Sequence, residues 1–202
     1  MANKKLTLGC FGLVIIVLII FALSGIGTYN SLVKLDQDVR AKWAQVENVY
    51  QRRADLVPNL VETVKGAAAF EKDTFTAVTE ARSKVGQVQL GANLVNNPEA
   101  FAKFQEAQDG LTSALSRLMV VVEKYPELKA TQNFRDLQVQ LEQTENRITT
   151  ERMRFNESAQ AFNTKRMKFP TVLIAGLFGE RFKEKAYFKA QAGAETAPKV
   201  KF

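Results

Sequence analysis

Residues 131–169 read TQNFRDLQVQLEQTENRITTERMRFNESAQAFNTKRMKF, without a proline or a glycine. Apolar side chains recur in it at every seventh position: Phe134, Leu141, Ile148, Phe155 and Phe162, with Leu137 as a companion. That spacing keeps them on one helical face. The other seam positions, Thr144, Glu151 and Ser158, are polar. The pattern therefore predicts a single bundle-facing stripe rather than a two-stranded coiled coil. At 1.5 Å per residue, a helix of about 37 residues is roughly 55 Å long.

Upstream, the same periodicity continues and no alternating strand pattern interrupts it. Asn97, Pro98 and Glu99 suit the N-cap, the first helical position and the positive end of a helix dipole. The helix they open carries Phe104, Leu111, Leu115, Leu118, Val122 and Tyr125, and Pro126 ends it. An earlier helix carries Phe75, Val78, Val85 and Val88, followed by a loop near Gly91 to Asn97. Ahead of that, Leu32, Leu35, Val39, Trp43, Val46 and Tyr50 recur at spacings of three and four. Pro58 lacks the donor for the carbonyl of Ala54, but the apolar pattern resumes with Leu60, Val61 and Val64. A kink is expected there rather than a stop, with the first turn near Gly66. Four amphipathic helices joined by short links predict an antiparallel up-down bundle over residues 29–168. The middle two helices are shorter, so their connecting loop should hang about 15 Å above the level where the first helix enters the bundle.

That helix continues back into LTLGCFGLVIIVLIIFALSGIG, Leu6 to Gly27, which carries no charge and follows Lys4 and Lys5. Twenty-two residues of helix reach about 33 Å, enough to cross a hydrocarbon core. The reading is residues 1–5 as a short basic N-terminus and 6–27 as a transmembrane helix. A cleaved signal peptide is the rival, with Ala22-Leu23-Ser24 as its site, but the apolar stretch exceeds the usual h-region. A lipoprotein signal at Gly9-Cys10 would put the apolar run on the wrong side of the cysteine. The flanking lysines favour a cytoplasmic N-terminus with the bundle outside.

Composition narrows the chemistry. The chain has 202 residues, no histidine and one cysteine, Cys10, inside the apolar run. Ser-His, Cys-His and His-metal arrangements and disulfides are absent. No catalytic residue, metal or cofactor is expected. The net charge of +7 is uneven: residues 29–164 hold 17 basic and 18 acidic side chains, and residues 165–202 hold 9 and 3.

Two places emerge as candidate sites. In an up-down bundle the chain after Lys168 returns to the membrane. There an apolar run, residues 169–179, precedes a basic and aromatic one, residues 180–189. Leu173, Ile174, Leu177, Phe178, Arg181, Phe182, Lys183, Lys185, Tyr187, Phe188 and Lys189 are expected to contact the lipid surface, where each lysine gains about 1 kcal/mol from anionic headgroups. The alternative packs residues 172–178 across the base of the bundle and leaves the rest of the chain as a disordered tail. Residues 190–202 read as a disordered tail. Higher up, Arg52, Arg53, Asp55 and Asn59 fall at the same height as Glu142, Glu145, Asn146 and Arg147. They form either a charge network that fixes helix register or a docking patch for a protein partner.

The same residues carry a family likeness. Tyr29-Asn30-Ser31-Leu32-Val33, the run from Arg52 to Gly66 (RRADLVPNLVETVKG), Tyr125-Pro126-Glu127-Leu128-Lys129-Ala130, Glu145-Asn146-Arg147-Ile148, Phe162-Asn163-Thr164-Lys165, Phe169-Pro170 and Leu177-Phe178-Gly179 stand in the order of the bacterial LemA family. The chain resembles that family over nearly its whole length. The resemblance implies a membrane-anchored helical bundle without an assigned enzymatic activity. Three functions then compete. One is a non-enzymatic scaffold of the bacterial inner membrane that binds a partner or self-associates. Another is a sensory or regulatory ectodomain working with a separate output protein. The third, nucleic-acid binding by the basic tail, is not expected for an extracytoplasmic domain.

Overall fold

A computed structural model describes residues 2–65, 71–88, 91 and 93–189, and its described residues are helical or irregular, with no strand. Its helices are α1 (Ala2–Lys65), α2 (Lys72–Gln87), α3 (Pro98–Val122), α4 (Pro126–Lys129), α5 (Gln132–Met167) and α6 (Thr171–Leu177). The all-helical expectation holds. α1 and α5 pack along each other as an antiparallel pair, and α2 and α3 form a second pair against them.

The N-terminal helix signals act where the sequence places them. The Asn97 side chain accepts from the backbone N–H groups of Glu99 and Ala100, both at 3.1 Å, and Pro98 opens α3. Thr131 caps α5, accepting from the N–H of Phe134. Pro126 does not itself stop α3, which ends at Val122; it starts the short α4 that turns the chain into α5. α1 runs on through Pro58. The carbonyl of Ala54, which loses its helical donor to that proline, accepts instead from Arg82 Nε of α2 at 3.1 Å. The turn expected near Gly66 and the tail 190–202 lie outside the described residues.

Two apolar clusters fill the bundle. The upper one joins Val57, Leu60 and Val64 of α1 to Phe75 and Val78 of α2, Leu111, Leu115 and Leu118 of α3, and Phe134 and Leu141 of α5. The lower one gathers Leu32, Val39, Trp43 and Tyr50 of α1 with Phe101 and Phe104 of α3 and Ile148, Phe155 and Phe162 of α5. All five heptad residues of α5 are buried, as are Thr144 and Ser158 of its polar seam. Each of those hydroxyls finds a partner: Thr144 donates to the carbonyl of Gln140 and Ser158 to Asp38.

The lower cluster also contains Phe182 and Phe188. α2 and α3 are too short to cover the lower ends of α1 and α5, and the chain beyond α5 supplies the missing wall. After a cis Phe169–Pro170 bond, α6 packs against both α1 and α5. A 3-10 turn, Gly179–Phe182, reverses the chain, and residues 183–189 climb the bundle in extended form.

Among the described residues, no helix is long and apolar enough to cross a membrane. The expected span at 6–27 thus gains no support from them; its side chains at 6–11, 13, 14, 17, 18, 21 and 22 lie outside the described set.

Candidate functional site

The first expected patch centres on one buried arginine. Arg53 is 1% exposed, and its guanidinium ties three helices together. Nη1 donates to Thr112 Oγ1 at 2.8 Å and to Glu145 Oε1 at 3.0 Å. Nη2 donates to the Gln108 carbonyl at 3.2 Å and to the Gln108 side-chain oxygen. The guanidinium lies 5.0 Å from the centre of the Tyr50 ring, and only Nε has no acceptor. Burial raises the Tyr50 phenol above its usual pKa, with Arg152 and Arg53 partly opposing it.

Of the expected cluster, the fold brings together Arg53 and Glu145 alone. Arg52, Asn59, Asn146 and Arg147 are exposed. Asp55 accepts from Gln51, and Glu142 from Gln138, each one turn away on its own helix. The α3 contribution, Gln108 and Thr112, was not foreseen. A signal for it exists: Gln108 is a polar residue four after Phe104 and three before Leu111 on the apolar stripe.

The second expected site divides. Leu173, Leu177, Phe178, Arg181, Lys183, Tyr187 and Lys189 are exposed and Ile174 is half-buried. Phe182, Lys185 and Phe188 are buried inside the bundle, so the expected surface contact is not available to them. The reason is the reversal at Gly179–Phe182, which turns the basic and aromatic segment upward instead of leaving it at the base.

This rising segment is held as a peptide is held. The Asn163 side chain donates to the carbonyl of Lys185 and accepts from its N–H, each at 2.9 Å. Asn156 does the same for Phe188, at 3.0 and 2.9 Å. Gln105 does it for Lys189, at 3.0 and 3.2 Å. The N–H of Ala186 donates to the Val95 carbonyl at 3.0 Å. Side-chain amides can satisfy both polar groups of one residue because they carry a donor and an acceptor side by side.

Two side chains of the segment point inward. Lys185, 1% exposed, donates to Asp36 at 2.5 Å and to the side-chain oxygen of Asn96 at 2.6 Å. Its ammonium lies 4.6 Å from the Phe162 ring centre. Burial holds the Lys185 pKa below its ordinary value; Asp36 offsets part of this, and Arg40, itself bonded to Asp36, adds to it. Phe188 enters an aromatic cage, with ring centres 4.8 Å from Phe101, 5.6 Å from Phe155 and 6.2 Å from Trp43. Arg152 closes the cage at 4.5 Å above the Phe188 ring.

At the base, α6 turns an apolar face outward. Leu177 is 78% exposed and Phe169 80%, with Val172, Leu173 and Phe178 beside them. Its inner side meets α1 at Gly25: a Cβ there would sit 3.9 Å from Ile174 Cδ1. The exposed face thus lies level with the end of the uncharged run. Higher up, an open groove of about 470 Å³ between α3 and α5 has Leu115, Met119, Phe134 and Leu141 on its walls. Among the described residues, no group of three or more histidine, cysteine or carboxylate side chains converges to hold a metal ion.

The sequence is similar to known proteins over most of its length. The magnetosome protein MamQ 1 of Paramagnetospirillum magneticum is 28% identical, over 83% of this chain and 67% of its own length. MamQ of Magnetospirillum gryphiswaldense is similar to the same extent. Protein LemA of Metamycoplasma hominis is 22% identical, over 77% of this chain and 67% of its own. The model of the LemA family matches residues 42–202, a stretch that holds the buried arginine, the α5 heptads and the returning segment. The chain belongs to the LemA family.

Proposed function

We propose that this protein is a non-enzymatic bundle anchored in the bacterial inner membrane by residues 6–27, acting as a scaffold that binds a partner or a second copy of itself. The observation that carries the reading is the position of α6. Its exposed apolar face, Leu173, Leu177 and Phe178, lies opposite Ile174, which meets α1 at Gly25, where the uncharged run ends. An apolar patch at that height is accounted for by a lipid surface. Arg181 and Lys183, exposed just beyond α6, add favourable charge toward anionic headgroups. Absence of histidine, and a lone cysteine within the apolar run, support binding rather than catalysis.

The experiment is a depth measurement on the full chain, in a Cys10→Ser background, reconstituted in vesicles. A fluorophore on Leu177→Cys should be quenched strongly by lipids carrying a quencher in the upper acyl chain. The same label on Val120→Cys, exposed on α3, should not respond. Equal quenching at both positions would remove the reading. The proposed orientation has the bundle outside the cytoplasm; Ser83→Cys should then react with an impermeant thiol reagent in intact spheroplasts.

A further inference from the structure

The groove that holds residues 183–189 has the attributes of a peptide receptor, and the chain currently fills its own site. Three amides, Asn163, Asn156 and Gln105, read both backbone groups of Lys185, Phe188 and Lys189. Such contacts require extended backbone and ignore sequence. Sequence enters at two pockets three residues apart. One, with Asp36 and Asn96, takes an ammonium; the other, the aromatic cage around Trp43, takes a phenyl ring. Together they specify an extended Lys-x-x-Phe segment. Every reading group belongs to α1, α3, α5 or the turn before α3, so nothing requires the segment to come from the same chain.

We propose that the segment 183–189 is exchanged between copies, each seating its Lys185 and Phe188 in the groove of a neighbour. The geometry allows it. The chain from Phe182 to Lys185 spans about 10 Å when extended, so exchange pairs two copies whose grooves face each other at that separation. The hinge, Lys183 and Glu184, is exposed, while Phe182 stays anchored, buried and with its carbonyl bonded to Arg166 at 2.6 Å. The exchanged interface is the one already formed within a chain, so dimerisation needs no new contact surface. Membrane attachment would hold the grooves and hinges of neighbouring copies at one height, raising their effective concentration. The inference deepens the self-association part of the proposed function and rests on it.

The test uses full-length chains in a Cys10→Ser background. Gln105→Cys and Lys189→Cys, at the rim of the groove, are made in separate chains, mixed, co-reconstituted in vesicles and oxidised. Exchange predicts covalent heterodimers at least fivefold above either variant alone. Adding Asn156→Ala and Asn163→Ala to the Lys189→Cys partner removes its own groove but leaves its segment, so linking to an intact Gln105→Cys chain should persist. Placing the same two changes in the Gln105→Cys chain should abolish it. A second pair, Val95→Cys with Ala186→Cys, repeats the measurement at the one backbone–backbone contact. Heterodimers no more abundant than the single-variant background, while the double variant in one chain closes internally, would overturn exchange. Crosslinking that ignores the two asparagines would overturn it as well, since collision alone would then account for it. Flotation of the same vesicles reports membrane attachment separately, so the anchor and the exchange can fail independently.

Discussion

Arg53 and Lys185 are both buried cations, and their surroundings assign them different costs. Arg53 spreads its charge over Thr112, Glu145 and Gln108. Arg53→Met should lower bundle stability by about 2–3 kcal/mol, read by urea unfolding, because Gln108 is left buried without its donor. Lys185 is the opposite case: its pKa is depressed, so the folded chain holds that proton less tightly than the unfolded chain does. Wild-type stability should therefore rise, relative to Lys185→Met, as pH climbs from neutrality toward 10.5. Denaturation of both variants at a series of pH values checks it, and the contribution of Tyr50 cancels in the difference. Neither cation could be read fully from sequence. Helix lengths put Arg53 level with Glu142, Glu145, Asn146 and Arg147 as a group, but its α3 partners needed the packing of a third helix. Lys185 sits among Lys183, Glu184 and Lys189 and looks like any solvated residue of a basic tail.

At the scale of elements, local signals were the legible part. The cap at Asn97, the start at Pro98 and the heptads of α5 depend on neighbours a few residues apart. Asn97→Ala should cost about 1 kcal/mol of stability, measured by the same unfolding. What local signals omit is who repairs a defect. Pro58 deprives the Ala54 carbonyl of its partner, and Arg82 from another helix replaces it. A double-mutant cycle exposes this: Arg82→Met should cost about 1 kcal/mol with Pro58 present and markedly less in Pro58→Ala, where the helix supplies its own donor. The extended segment escaped notice for a related reason. It has no periodicity of its own, and its partners, Asn156 and Asn163, merely follow Phe155 and Phe162 in the sequence. Two amides seven residues apart beside the buried stripe were a clue only in retrospect.

For the whole molecule, the lower core is incomplete without Phe188. Phe188→Ala should lower stability by about 3–5 kcal/mol and move the emission of the single tryptophan, Trp43, to longer wavelength. An unchanged spectrum would mean that the cage does not depend on that ring. The bundle outline and its antiparallel order were accessible from helix lengths, since the two long helices must match. The wall that completes them was hidden because it comes from distant chain. Asp36 and Lys185 are 149 residues apart. At about 5–20 residues per second, a ribosome finishes the second of them roughly 7–30 s after the first. The aromatic cage is complete only once Phe155 is made, and Phe188 follows 33 residues later. For roughly 2–7 s at that rate, the cage of a nascent chain stays open to water on one side, and a chaperone or a previously completed neighbour has time to cover it first.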